Sequence, residues 1–322
     1  MTARRIRPIA AVGVCTAMLL TVGAGGATAR TDQSDDASRP DGAEATAALV
    51  ADVAPDQGEV VEGVRRDETV VAQTSGIDAT VPLDADRPVV LETSAGPALE
   101  VSLPAEVTVG DGQVADDGTV VYPATHGGAH AAVQALDDGS VRLQTITQGP
   151  DEPHEFTYRF GDGIMPVEGR DGAVELVQEV SPGVAVTVGE ISPPWAADAD
   201  GTPLSTSYAI QGDAVVQTVD VDESTAYPVV ADPRMTKTWW NTTVYFNRYE
   251  TRRIADGAQV TAFVSGLVPA PVAKAVAAMA QAASLYARLW YNEGRCIKFV
   301  YYFDRANVWQ PYAGSEAGGY CR

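Results

Sequence analysis

Asp138-Gly139-Ser140-Val141-Arg142-Leu143-Gln144-Thr145-Ile146-Thr147 carries the pattern that decides the fold. Asp-Gly supplies positive φ at little cost and suits a two-residue hairpin loop. The run behind it alternates apolar with polar residues, as a half-buried strand does. The device recurs as Asp117-Gly118-Thr119-Val120 and Asp171-Gly172-Ala173-Val174, at spacings of 21 and 33 residues. Unequal spacing makes it a repeated hairpin device and not a solenoid. Asp111-Gly112, Asp162-Gly163 and Asp200-Gly201 add further turns. Between them the alternation predicts strands over Arg87–Glu92, Leu99–Leu103, Thr119–Pro123, Val141–Thr147, Glu155–Phe160, Val174–Val180, Val184–Ile191 and Ala214–Val221. Short strands of this kind from about Thr69 to Asp232 can make one antiparallel sandwich or open barrel.

Downstream, composition breaks at Tyr227-Pro228-Val229-Val230-Ala231-Asp232-Pro233. Arg30 to Pro233 holds 38 acids against 8 bases; Arg234 to Arg322 holds 5 acids against 11 bases, with 16 of the 23 aromatic residues. Such asymmetry suggests different partners for the two parts. Residues 30–67 are acidic and lack aromatics, so they read as a disordered leader, with some helix around Glu44–Val53. In the tail, Asn247-Arg248-Tyr249-Glu250 has the form of a capping box and predicts a helix through Ile254 that stops near Gly257. Val272–Tyr291 reads as a long Ala-rich helix ending near Gly294. Strands follow at Ile297–Phe303 and Val308–Trp309. The expected fold is multidomain: an all-β antiparallel sandwich-like module over 68–233 plus a small α+β C-terminal domain over 234–322, of helices followed by a disulfide-closed hairpin.

Residues 1–29 read as a secretory signal peptide. Arg4, Arg5 and Arg7 form the positive region, Ile9–Val22 the apolar run, and Ala27-Thr28-Ala29 the small-x-small cleavage site. Its removal takes Cys15 and leaves Cys296 and Cys321, an even pair in an oxidising compartment, which reads as a disulfide. The expected location is therefore secreted, or extracellular.

Enzymatic chemistry finds little support. A hydrolase needs a nucleophile, a base and a group to orient the base. Neither a Gly-x-Ser-x-Gly elbow nor a phosphate-cradling glycine loop occurs in the sequence. His126 and His130 flank Gly127-Gly128, where a metalloprotease helix carries Glu after its first His. Acids around His154 should raise its pKa, as in any solvated turn. Asp198-Ala199-Asp200-Gly201 resembles part of a calcium loop, but Ala196 and Ser207 occupy the first and twelfth ligand positions. No metal site and no cofactor are expected. Basic residues in the tail are spread out, which disfavours nucleic acid as a partner. Val260–Tyr291, charged only at Lys274 and Arg288, leaves two readings open: a packed helical core burying Val272, Val276, Met279, Leu285 and Leu289, or a membrane-active helix–Pro–helix hairpin.

Phe156-Thr157-Tyr158-Arg159-Phe160, Asp171-Gly172-Ala173-Val174, Pro194-Trp195-Ala196 and the closing Tyr227-Pro228-Val229-Val230-Ala231-Asp232-Pro233 together resemble a module of exported actinobacterial proteins. In that family a β-rich region ending in Tyr-Pro-Val-x-x-Asp-Pro precedes a variable C-terminal domain. The tail resembles those of small uncharacterised secreted proteins. The resemblance implies architecture and carries over no catalytic residue. The function expected is that of a non-enzymatic two-module protein, an acidic β carrier with a cationic C-terminal effector. That effector would act on an anionic membrane or cell-wall polymer, in toxin-like or bacteriocin-like antagonism. Candidate surface-binding residues are Trp239, Trp240, Arg252, Arg253, Lys298, Arg305 and Trp309, and the opposed charges predict intramolecular contact between the modules. The alternatives are a plain structural or binding module of the cell exterior and an unrecognised hydrolase.

Overall fold

Asp-Gly turns set the strand ends throughout a computed structural model that describes residues 42–55, 58–74, 76–93, 98–237, 241–257, 280–302, 308–313 and 320–321. At Asp171-Gly172 both residues take positive φ, 53° and 87°, the pair of values a two-residue hairpin loop requires. At Asp138 and Asp117 the carboxylate accepts the main-chain N–H two residues on, Ser140 at 2.9 Å and Thr119 at 2.8 Å. This is why the same Asp-Gly-Ser/Thr signal recurs before a strand.

The described strands pair antiparallel throughout. β1 (Val64–Arg66), β2 (Thr69–Gln73), β3 (Ile77–Pro82), β4 (Val89–Thr93) and β5 (Leu99–Val101) form a five-stranded meander. A long sheet contains β6 (Gln113–Val114), β7 (Val120–Tyr122), β8 (His130–Ala135) and β9 (Ser140–Thr147) as consecutive neighbours. β10 (Glu155–Arg159) belongs to a small third sheet, whereas β11 (Ile164–Glu168), β12 (Val174–Ser181), β13 (Val184–Ile191) and β14 (Trp195–Ala197) return to the long one. β15 (Thr206–Gln211) and β16 (Ala214–Val219) complete the third sheet in the order β10-β16-β15. β17 (Val229–Asp232), β18 (Arg234–Thr236), β19 (Asn241–Phe246), β20 (Ile297–Tyr302) and β21 (Val308–Ala313) all join the long sheet. Among the described residues three helices accompany them: α1 (Ala43–Val53), α2 (Arg248–Ala255) and α3 (Ala280–Asn292).

One buried core joins the sheets. Ile77, Leu91 and Leu99 of the meander pack with Leu143, Leu176, Ile191 and Met235 of the long sheet and with Tyr158 and Val215 of the third. Each such aliphatic side chain contributes about 1.5–3 kcal/mol when fully buried. The approach is close at Gly189, where a Cβ would lie 2.6 Å from Leu99 Cδ2 and 3.1 Å from the Thr236 carbonyl oxygen.

Two boundaries differ from expectation. The Tyr227–Pro233 motif is internal to the sheet. Val229↔Thr147 and Thr236↔Ser140 share one uninterrupted register along β9, and Leu143 donates its N–H to the Pro233 carbonyl at 3.0 Å. On the other side β14 pairs with β17, and β13 pairs with both β18 and β19. The sheet therefore crosses the charge break, with strands on both sides of it paired in one ladder. Charge reports what a surface faces and not where hydrogen bonds stop. Within the acidic leader α1 lies where a helix is expected, but it is docked rather than solvated. Val50 of α1 is fully buried against Val121, Ala132, Ile146 and Val230, and β1 lies within the same stretch. An apolar stripe of Ala47 and Val50 at helical spacing suffices to dock α1 despite its acidic surroundings.

Candidate functional site

The two described C-terminal helices run antiparallel and are tied to each other at both ends. Asn247 Oδ1 accepts the Glu250 N–H at 2.9 Å, which starts α2 where the capping box predicts. Arg248 reaches the end of α3, donating to the carbonyls of Tyr291 at 3.0 Å and Arg295 at 2.8 Å while its guanidinium lies 3.9 Å over the Tyr291 ring. A cation at those orphan carbonyls also meets the negative end of the helix dipole. Ser284 Oγ and Arg288 return the tie by donating to the Ile254 and Ala255 carbonyls at 2.8 and 3.0 Å.

Burial of α3 is carried by Ala283 and Ala287, packed with Val244, Phe246, Ile254, Ile297 and Phe299. Small residues let the helix approach closely, which turns the leucines away. Leu285 is 69% exposed and Leu289 52%, so the packed-core reading, one of the two left open, is corrected for these two residues. Tyr249 on α2, 67% exposed, is a further large outward apolar residue. Arg252 lies 3.8 Å from Asp256 and Arg253 3.0 Å from Glu250, both within α2. The outward sides of the helices thus combine aliphatic, aromatic and guanidinium groups. Among the described residues no helix is long and apolar enough to cross a membrane.

Of the residues singled out in the sequence, Arg252 and Arg253 belong to this outward surface. Lys298 does not. Its side chain is only 15% exposed, with Nζ 3.7 Å from Glu175 and 5.0 Å from the Tyr245 ring. As a β20 residue opposite Tyr245, it is drawn in by a carboxylate that β12 places beneath the strand. Trp239, Trp240, Arg305, the Trp309 side chain, residues 258–279 and residues 1–29 lie outside the described residues. Cys296 and Cys321 form a disulfide near the C-terminus. Sequence reasoning misses Tyr249, Leu285 and Leu289 as outward groups; a helical phase set on the alanines would find the leucines.

A cleft of about 350 Å³ opens beside Lys298, lined by Arg170, Glu175, Thr187, Glu190 and Thr243 among others. Glu175 and Glu190 are directly opposed across β12 and β13. Like charges so placed are unfavourable, which makes the pair informative. Glu175 accepts from the Tyr245 hydroxyl at 2.6 Å and the Thr187 hydroxyl at 3.0 Å. Burial, and secondarily Glu175, pushes the Glu190 carboxyl above the usual range.

The histidines and the calcium-like turn resolve simply. His126 is exposed beside Thr125, and no group of three or more metal-ligating side chains occurs among the described residues. His154 contacts the Tyr227 hydroxyl at 2.9 Å, and burial lowers its pKa against the opposing pull of Glu152, reversing the expected direction. Asp198 accepts the Thr202 and Asp200 N–H groups at 2.8 and 3.0 Å, a turn device. Although burial acts to raise its pKa, those bonds hold it below the ordinary value.

Asp232 is the other unusual group. Its carboxyl is buried at the centre of the long sheet, beside Trp195 of the paired strand. Burial raises its pKa to about 7 against the pull of Trp195, Arg142 and Arg234. The Trp195 indole lies near enough to favour the carboxylate without meeting strict hydrogen-bond geometry. On the neighbouring strands Gln144 donates to Gln134 at 2.9 Å and Gln134 to Thr119 at 3.0 Å.

No protein-family model and no curated protein matches the chain. A solved structure of a gh92 family glycosyl hydrolase is similar at 13% identity and a TM-score of 0.19, covering 82% of this chain and 44% of that one. The chain thus spans less than half of that structure's length, and at such a score the likeness carries no argument.

Proposed function

We propose that the chain is an exported, non-enzymatic protein whose acidic β body presents a cationic, disulfide-closed C-terminal part to an anionic extracellular surface. The role is toxin-like or bacteriocin-like antagonism. The observation that carries this reading is the outward side of the two helices, where Tyr249 stands in solvent on α2 with Arg252 and Arg253, and Leu285 and Leu289 stand in solvent on α3. Burying each leucine in an interface contributes about 1.5–3 kcal/mol, against about 1 kcal/mol for each arginine near an anionic surface. Both arginines already face acids, so the apolar groups supply adhesion and the charges supply selectivity. The test is sedimentation of residues 30–322 with anionic vesicles, zwitterionic vesicles and a phosphate-rich wall polymer, beside Leu285→Ser/Leu289→Ser. The reading expects anionic binding that the double variant loses. Equal recovery of both proteins in the supernatant of every arm would leave a plain extracellular structural module.

The Glu175–Glu190 cleft favours a second reading as a hydrolase. Two carboxyl groups in unequal environments, of which burial pushes Glu190 upward, are the arrangement that divides acid from base roles. Hydrolysis in a broad glycoside and ester screen, abolished by Glu190→Gln, is what this reading expects. An inactive wild type in the same screen removes it.

A further inference from the structure

We propose that the chain cleaves its own Asp232–Pro233 peptide bond, with the Asp232 side-chain carboxyl as nucleophile and Tyr208 as the donor to the scissile carbonyl. Tyr208 lies on β15, and its hydroxyl donates to the main-chain oxygen of Asp232 at 3.2 Å. That oxygen is the atom on which charge develops when the carbonyl is attacked, and a donor placed there in advance is worth most in a dry site. Asp232 is 1% exposed, and its Oδ2 has no hydrogen-bond partner among the described residues. A buried carboxyl oxygen without a partner calls for an explanation. Residue 233 is proline, whose nitrogen bears no hydrogen and donates nothing to the sheet.

The chemistry balances with water as the single co-reactant. An oxygen of the neutral carboxyl bonds to the Asp232 carbonyl carbon, and the resulting oxyanion faces the Tyr208 hydroxyl. The bond to the Pro233 nitrogen then breaks, its electron pair staying on nitrogen. That nitrogen takes the carboxyl proton and leaves as a secondary amine. Water opens the cyclic anhydride, leaving Asp232 with free main-chain and side-chain carboxyl groups. No redox change occurs. The neutral acid is the reactive form, and a carboxyl held at about 7 by burial keeps a large neutral fraction where an exposed aspartate has almost none. Facing it are Arg142 from β9, Arg234 from β18, Tyr158 from β10 and Tyr208 from β15. Trp195 completes the surround from β14.

Cleavage here severs the chain at its charge break without dismantling it. β18 stays paired to β9 and β13, and β19 to β13, so the nicked protein remains assembled until it is denatured. The proposal does not rest on the surface-binding reading, since it concerns a buried bond remote in chemistry from the exposed leucines.

The test incubates purified residues 30–322 from about pH 5 to about pH 9. Samples are denatured and read by intact mass, beside Asp232→Ala and Tyr208→Phe checked for native circular dichroism. Wild type is expected to yield a fragment ending at Asp232 and one beginning at Pro233, faster below the Asp232 pKa than above it. Asp232→Ala should stay whole, and Tyr208→Phe should slow cleavage by about 10²-fold. Hydroxylamine present during the incubation should intercept the cyclic anhydride ahead of water and leave a hydroxamate at the new end. A natively folded wild type that remains one chain overturns the proposal. So does Asp232→Ala cut at the same bond at the same rate, or an end at Asp232 that forms only as the ordinary acid when excess hydroxylamine is present throughout the cleavage.

Discussion

Tyr245 donates its phenol hydrogen to Glu175 across 2.6 Å, joining β19 of the basic segment to β12 of the acidic one. Burial, then the charge of Glu175, pushes the Tyr245 phenol well above its ordinary range, so it is a fixed donor at any ordinary pH. Lys298 comes within 3.5 Å of the same phenol oxygen and 3.7 Å of the same carboxylate. Opposite charges from the two halves of the sequence thus meet inside one sheet.

Tyr245→Phe removes the stronger donor and leaves Glu175 to Thr187 and Lys298. Loss of one partner from a buried charged group costs about 1–3 kcal/mol, so the urea midpoint should fall accordingly. Adding Glu175→Gln to that variant should cost less than the two single changes combined, because both break the same bond. Additive losses would show that the two side chains act independently.

Asp232 sets a second expectation, with a defined sign. Its folded pKa of about 7 lies above the ordinary aspartate value of 3.8, so the folded state binds the proton more tightly. Stability from this group is complete below the unfolded pKa and is lost as pH rises toward about 7. The full loss is on the order of 4 kcal/mol, because each tenfold gain in proton affinity is worth about 1.4 kcal/mol. Asp232→Asn should flatten the fall in Tm between about pH 5 and about pH 8 while raising Tm at the upper end. An unchanged slope in the variant would place the pH dependence elsewhere.

What is legible in the sequence follows from which signals are local. Val184–Ile191 emerges with its predicted bounds, and Val141–Thr147 and Val174–Val180 each gain one residue, because alternation and Asp-Gly turns act within a hairpin. The α2 helix is equally readable from Asn247 and Glu250. By contrast, Val229–Thr236 reads as a boundary, since Pro233 argues against a central strand and the composition changes beside it. Only pairing with β9, some ninety residues earlier, makes it a strand, and no local signal reports that. The Glu175–Glu190 pair is hidden for the same reason: acids are abundant, and only register selects two of them. Charge alone places Arg252 and Arg253 on the outward surface, whereas it misplaces Lys298, whose partner lies on a distant strand.

Asn247→Ala tests the local end of that argument. It removes the acceptor for the Glu250 N–H at the start of α2, a loss of about 1 kcal/mol. Replacement by Asp or Ser should recover most of it. A variant as stable as wild type would mean that the tie from Arg248 to α3 alone holds the helix start.

The disulfide should matter through the loop it closes. Cys296 and Cys321 are 25 residues apart, and chain entropy assigns a bridge of that span about 3 kcal/mol. Reduction, or Cys296→Ala/Cys321→Ala, should lower the unfolding free energy by that order and leave far-UV dichroism native. Collapse of the whole sheet on reduction would show that the bridge does more than shorten the unfolded chain.

Residues 234–322 should not fold alone. Their buried cluster of Val244, Phe246, Ile254, Ala287, Ile297 and Phe299 is completed by Val184, which belongs to β13. β19 hydrogen-bonds to Val184, Ala185 and Val186 on one side and to β20 on the other, so removing β13 bares a strand edge and an apolar face together. An exposed edge of that kind templates aggregation. The isolated segment should therefore give unstructured or aggregated material. Co-expression with residues 30–233 should recover a soluble, native complex, since the ladders from β18 to β9 and from β19 to β13 can form between separate chains. A soluble, cooperatively melting 234–322 would instead mark the charge break as a true folding boundary, and would return to that segment the autonomy that its sheet pairing denies it.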